Sequence, residues 1–189
     1  PDVTRVWCWA PGYLTPGGKD VGGIEALTGF KGKALASTDG SATATEEGRR
    51  RGLPERLAAK DKHPFVDLFG VEATDAETWA RFEDGTPAIA VRKNAFGGNE
   101  VFLGTPACPP ELVRALADLA GVHRYVKDGN AAIWAAGWLS AMADEQGGKV
   151  TFDTGVAGPV KDFFTGKNIA DGPVFTLDMA PGETRLFEF

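Results

Sequence analysis

Toward the C-terminus apolar and polar residues alternate, at Phe175, Leu177 and Met179 and again from Leu186 to Phe189. A period of two belongs to a strand with one buried face. Thr165-Gly166-Lys167 and Ala180-Pro181-Gly182-Glu183 supply the turns between such strands, Pro pre-setting φ and Gly permitting its positive values. Upstream, residues 123–126, 131–135, 138–143 and 149–153 form short apolar runs at intervals of roughly ten residues, with Gly129-Asn130 and Gly147-Gly148 between them. Evenly spaced short strands with turn signals predict a small antiparallel sandwich or barrel.

The earlier part of the chain reads differently. Residues 3–10 (Val-Thr-Arg-Val-Trp-Cys-Trp-Ala) are aromatic and β-branched with Arg5 as the one charge, which predicts a strand covered on both faces, as in a parallel sheet. Pro11-Gly12-Tyr13 stops it and Thr15-Pro16-Gly17-Gly18 prolongs the loop. Asp20 can cap a helix over 21–28 with Ile24 and Leu27 on its apolar stripe and Gly29 as its stop. Residues 34–62 are polar and weakly patterned, with a turn at Ser37-Thr38-Asp39-Gly40 and a solvated basic cluster at Arg49-Arg50-Arg51. A structureless loop of that length is uncommon, so part of it should be strand.

An apolar strand follows over 64–71, then a short helix or extended link over 76–82. Glu83-Asp84-Gly85-Thr86 is a hairpin-type turn before a strand at 87–93, and Gly97-Gly98-Asn99 turns into another at 100–104. Pro109 and Pro110 open the best helix of the chain, 110–120, whose stripe is Leu112, Val113, Leu116, Leu119 and Ala120 and whose stop is Gly121. The predicted fold class is therefore α/β followed by all-β. Residues 1–122 would form a partial doubly wound domain, packed without a flexible linker on a small antiparallel β-sandwich of residues 123–189.

At 189 residues the chain has room for one domain or two small ones, and 43% hydrophobic residues suffice for a core. A net charge of −6 without long runs argues against nucleic acid and anionic membrane as partners, since both need a basic face. No apolar stretch nears the ~20 residues that span a bilayer, and the opening Pro1-Asp2-Val3-Thr4-Arg5 lacks the regions of a signal peptide. A soluble chain is expected, its compartment undetermined.

Few residues suggest chemistry. Cys8 stands on a strand before a turn, the place of a nucleophile elbow, yet Trp7 and Trp9 flank it in place of small residues. The histidines, His63 before a proline and His123 at the domain junction, are its candidate bases. Cys8 and Cys108, in apparently unrelated segments, set up no disulfide framework and fix no compartment, a bond between them being the lesser expectation. No HxH, CxxC or HExxH spacing points to a metal, and no GxGxxG or GxxxxGK[ST] cradle points to a nucleotide, so no cofactor is expected. The acidic pairs Glu46-Glu47, Asp75-Glu77, Glu83-Asp84 and Asp144-Glu145 lie in polar, turn-like stretches and read as surface.

The aromatics say more. Trp134 and Trp138 sit four apart in a predicted strand pair; residues four apart in an alternating strand share a face, and the core is the expected place for both. Trp9, Pro11, Gly12 and Tyr13 follow the first strand, where an open sheet meets its ligands. An exposed indole there could stack on a sugar ring.

Residues 6–13 and 24–30 resemble the amidotransferase-like domain that follows the catalytic barrel in certain β-galactosidases and related glycoside hydrolases, often called the β-galactosidase trimerisation domain. Residues 109–114 and 120–125 resemble its last helix and exit, and 160–166 and 182–187 the small C-terminal β domain of the same enzymes. The resemblance covers nearly the whole chain in the right order. It implies a class I amidotransferase- or flavodoxin-like first domain that begins part-way through, and catalytic carboxylates on a barrel that this chain is too short to contain. It also implies a non-catalytic accessory role: support of the barrel, in the parent protein or another chain, and subunit contacts that include self-association. Two alternatives stand beside it, a carbohydrate-binding module built on the aromatics and a thiol enzyme built on Cys8.

Overall fold

The computed structural model describes residues 3–35, 39–59, 67–72, 74–129, 131–135 and 138–189, with the backbone alone for 132, 134 and 135. The chain divides into two units, Pro1–Val122 and His123–Phe189, both built mainly of strands. No helix among the described residues is long and apolar enough to cross a membrane.

The first unit runs β1 (Arg5–Cys8), β2 (Leu14–Thr15), β3 (Gly18–Lys19), α1 (Gly22–Thr28), β4 (Gly32–Leu35), β5 (Ala42–Ala44), α2 (Glu46–Arg50), β6 (Arg56–Leu57), β7 (Leu68–Val71), β8 (Glu77–Arg81), β9 (Pro87–Lys93), β10 (Asn99–Leu103) and α3 (Pro110–Leu119). Its main sheet has the order β1-β10-β9-β8-β5-β6. Only β1 and β10 pair in parallel; every other neighbour in that sheet is antiparallel.

This corrects the doubly wound expectation, and the reason lies in the turns. Between β8 and β9 the chain reverses over 82–86, where the Phe82 amide donates to the Thr86 carbonyl. Between β9 and β10 it reverses over 94–98, where the Asn94 side chain accepts from the Phe96 and Gly98 amides. Parallel neighbours need a crossover of a dozen or more residues. Turns this short dictate antiparallel strands, and the helices of a doubly wound sheet have no place between them.

Both faces of the sheet are nevertheless covered. Ile89, Val91, Val101 and Leu103 face Leu112 and Ala115 of α3. Ala90 and Phe102 face Ile24 of α1, Phe30, and Phe69 and Val71 of β7, which pairs antiparallel with β4. The helix α1 begins one residue later than predicted, but Asp20 still serves its entry by accepting from the Gly22 amide at 2.8 Å. Gly29, at φ 72, ends it by donating to the Glu25 carbonyl.

Other expectations shift. Residues 3–10 were predicted to be covered on both faces, whereas β1 is an edge strand with Val6 and Cys8 exposed, because only β10 pairs with it among the described residues. The segment 76–82 holds neither helix nor link but β8, with Trp79 fully buried. The predicted stripe residues Leu27, Val113 and Ala120 are exposed; Ile24, Leu112, Leu116 and Leu119 pack as predicted, joined by Ala115. Within 34–62 lie β5, β6 and the short helix α2, capped by Thr45, whose Oγ1 accepts from the Gly48 amide. The predicted turn residues Ser37 and Thr38, the strand's start at 64–66, and His63 fall outside the described residues.

The second unit contains β11 (Val126–Asp128), β12 (Ala131–Ala135), β13 (Trp138–Ala143), β14 (Gly148–Asp153), β15 (Val160–Asp162), β16 (Asn168–Ala170), β17 (Val174–Met179) and β18 (Thr184–Glu188). They form a sheet β11-β14-β17 and a sheet β12-β13-β18-β15-β16, all antiparallel. Leu139, Ala141 and Phe187 of one sheet and Val150, Phe152 and Phe175 of the other share one core, the arrangement of a sandwich. The Phe152 ring lies 5.3 Å from Phe175 and 5.4 Å from Phe187, contacts worth about 0.5–1.5 kcal/mol each beyond area burial.

Candidate functional site

The carboxyl ends of β1 and β10, the single parallel pair among the described residues, open into a cleft. Cys8 stands beside Leu103 in the parallel register, and the Trp9 amide extends the ladder by donating to the Leu103 carbonyl at 2.8 Å. Beyond it the backbone turns sharply. Trp9 has φ 64, in the left-handed region that costs a residue with a Cβ about 1–2 kcal/mol. The surroundings hold it there. Its indole N–H donates to the Asp67 carbonyl at 3.0 Å, and its ring meets Phe69 and Tyr13 edge-on at 6.0 and 6.4 Å. Trp9 stays 44% exposed and, with Cys8, Asp67, Leu103, Thr105 and Cys108, lines a cleft of about 630 Å³.

The other predicted ligand-binding residues lie behind this wall. Tyr13 is 7% exposed, its ring centroid 4.5 Å from Phe69, and Lys19 Nζ sits 5.8 Å from its ring. Burial takes Tyr13 out of reach as a stacking platform. Pro11 and Gly12 are half-buried and form the turn that returns the chain to α1. Gly12, at φ 87, meets Gly23 of α1 backbone to backbone, and a Cβ on either would overlap the other's carbonyl oxygen. Of the four, Trp9 reaches the cleft and the rest brace it. Lys19, ion-paired with the Asp67 carboxylate, closes the brace from outside.

A second cleft of about 490 Å³ lies beside Trp7 and is lined by Arg5, Leu27, Thr28, Asp75, Arg92 and Glu100 among others. Four of its charges form two pairs. Glu100 accepts from Arg5 Nη1 at 2.8 Å and from the Trp7 indole at 2.6 Å; Arg92 pairs with Asp75 at 2.9 Å and lies 4.2 Å over the Phe30 ring. Trp7 and Trp9 therefore serve different clefts.

The thiol reading of Cys8 meets an adverse environment. Partial burial, and then the neighbouring Cys108, push the Cys8 thiol above its ordinary value, so at neutral pH it is protonated. Among the described residues no hydrogen bond joins Cys8 to a histidine. His123 lies in the second unit, where its Nε2 donates to the Asp153 carbonyl at 2.8 Å and its ring stands edge-on to Tyr125.

At least one member of each acidic pair is engaged as well. Glu46 and Glu47 sit in the first turn of α2 and bind Arg50 and Arg51. Glu77 accepts from the Trp79 indole, Asp84 from the Thr86 amide, and Asp144 from the Gln146 and Gly147 amides. Among the described residues no group of three or more His, Cys, Asp or Glu could hold a metal ion.

Trp134 and Trp138 lie on β12 and β13, the two arms of a hairpin and the strand pair expected there, with Trp134 opposite Ser140, so no single strand face carries both. Thr105 and Cys108 reach the cleft through the long-range pairing of β1 with β10, and Asp67 through its carbonyl's bond to the Trp9 indole, signals the linear sequence does not carry. Phe163 and the 79% exposed Phe164, edge-on to each other in the turn after β15, are an apolar surface pair.

A fold of this kind, two β-rich units in one chain, is found within a solved β-galactosidase. Over 97% of its length the chain superposes on 28% of the β-galactosidase from Bacillus circulans sp. alkalophilus, with 20% identity and a TM-score of 0.58. A polyextremophilic β-galactosidase from the Antarctic haloarchaeon Halorubrum lacusprofundi matches 89% of the chain over 24% of its own, with 16% identity and a TM-score of 0.49. The chain thus spans about a quarter of the length of either. No family model and no curated protein matches it.

Proposed function

We propose that this chain is an accessory portion of a β-galactosidase-like glycoside hydrolase, supporting a catalytic barrel and its subunit contacts while the bond cleavage takes place elsewhere. The observation that carries this is the likeness of fold to a β-galactosidase over nearly the whole of this chain and little more than a quarter of that one. The chemistry of the clefts fits it. A glycosidase needs two carboxyl groups about 5–10 Å apart and free to exchange protons, whereas Glu100 is saturated by Arg5 and Trp7 and Asp67 is tied to Lys19. The test is direct: purified chain incubated with aryl β-galactosides should release no aglycone above the buffer rate, and turnover that survives repurification refutes the proposal.

A second reading has one observation in its favour. The Trp9 ring is pinned by its indole hydrogen bond and still faces a cleft, the pre-organised state in which stacking on a sugar costs least. Titration with galacto-oligosaccharides should then quench indole emission saturably, with loss of the signal in Trp9→Ala but not in Trp138→Phe. A linear, unsaturable response rejects it.

A further inference from the structure

The two cysteines of the chain stand exactly one hundred positions apart in sequence and meet at the same cleft. Cys8 is the last residue of β1; Cys108 lies just before Pro109, which caps α3. What joins them is the parallel register of Cys8 with Leu103, followed by a tight turn in which Thr105 Oγ1 accepts from the Ala107 amide and donates to the Gly40 carbonyl. Both thiols are free and exposed, and the chain offers neither of them another intramolecular partner. Neither has a part in the accessory role proposed above.

We propose that Cys8 and Cys108 form a reversible redox pair that closes into an intramolecular disulfide across the mouth of the Trp9 cleft. With hydrogen peroxide as the two-electron oxidant, one thiolate attacks a peroxide oxygen, the O–O bond breaks, and a sulfenic acid and water result. The second sulfur then attacks the sulfenic sulfur; the S–S bond forms, the S–O bond breaks, and a second water leaves with the thiol proton. Two thiols and one peroxide become one disulfide and two waters. A dithiol reductant reverses the bond by exchange through a mixed disulfide. The closed form staples the edge strand β1 to the entry of α3 and narrows the cleft beside Trp9. Because the bond would close a long loop, it restrains the unfolded chain as well.

The experiment uses the reduced, folded chain. It is treated with stoichiometric hydrogen peroxide, quenched with N-ethylmaleimide, and weighed intact. The expected product is a monomer lighter by two hydrogen atoms that carries no maleimide. Trypsin under non-reducing conditions should yield residues 6–19 joined to residues 94–114, and dithiothreitol should separate them. Urea unfolding should show a higher midpoint for the oxidised form. In Cys8→Ser the reaction should stop at a dimedone-reactive Cys108 or a disulfide-linked dimer. Two maleimide adducts on the treated wild-type chain, a wild-type product that is only intermolecular, or separate overoxidation of each sulfur would each overturn the proposal. The wild-type masses decide the matter even if a serine variant fails to fold.

Discussion

Gly12 and Gly23 touch backbone to backbone, each occupying the space that a Cβ on the other's side would need. This contact fixes the turn after β1 against the first turns of α1, and through Tyr13 it fixes the wall behind Trp9. Replacing Gly23 by Ala forces the two segments apart, at about 1–3 kcal/mol for overpacking. Gly12→Ala adds the left-handed backbone, about 1 kcal/mol more. Urea midpoints should fall in that order at unchanged m-value, and Trp9 emission should shift in both variants. A Gly23→Ala chain as stable as wild type would show that the contact is slack.

Cys8 should behave as a reluctant nucleophile. Burial first, and the Cys108 thiol second, raise it, so alkylation by iodoacetamide should be slow at pH 7 and still accelerating above the ordinary thiol value of about 8.5. The same shift carries a stability consequence. A group raised in the folded state contributes its full share below the unfolded value, and that share is lost as the pH rises through the folded one. The urea midpoint of the reduced chain should therefore decline on the alkaline side, less so in Cys8→Ser. A plateau of alkylation rate at neutral pH would contradict this.

On the acid side the carboxylates of three turns act in the opposite sense. The Ser41 amide on Asp39, the Thr86 amide on Asp84 and the Thr165 hydroxyl on Asp162 each hold the carboxyl below its usual range. Their contribution is present above the unfolded value of about 3.9 and disappears as the pH falls through the lower folded values. Urea midpoints measured from pH 5 to pH 2 should drop across that window, and Asp84→Asn should flatten the drop. A flat profile would mean that these turns survive protonation.

Glu100 is the hinge of the Trp7 cleft, its side chain 11% exposed and bonded to Arg5 and Trp7. Glu100→Ala orphans a guanidinium and an indole N–H at the sheet edge, which should cost about 1–3 kcal/mol. Glu100→Gln keeps an acceptor and should lose less. If the alanine variant unfolds within 0.5 kcal/mol of wild type, water replaces the carboxylate at little cost.

Local signals in the sequence found most of the strands and the long helix. Glu83-Asp84-Gly85-Thr86 and Gly97-Gly98-Asn99 marked the reversals around β9, and Pro109-Pro110 and Gly121 marked the ends of α3. Those same reversals contradict a doubly wound sheet, so the information was present and was outweighed by a likeness to another topology. Trp79 was hidden for a different reason. Its segment alternates poorly, and only its pairing with β9 and the Arg51 guanidinium 5.5 Å from its ring reveal a core strand. The cleft was half legible. Trp9 could be picked out as an aromatic beyond a strand end, but its positive φ, the burial of Tyr13 and the arrival of Cys108 depend on contacts between residues far apart in the chain.

The partnership of β1 with β10 also has a temporal side. Arg5 and Glu100 are 95 residues apart, and pairings of such high sequence separation form slowly because closing the intervening chain costs entropy in advance. At about 5–20 residues per second, a ribosome would deliver β1 some 5–20 s before its mate. The hairpins of β8, β9 and β10 can zip locally as they emerge, while Val6 and Trp7 wait in solvent for a template. Nascent chains that contain this segment should accordingly gain most from a chaperone that holds β1 until β10 has emerged.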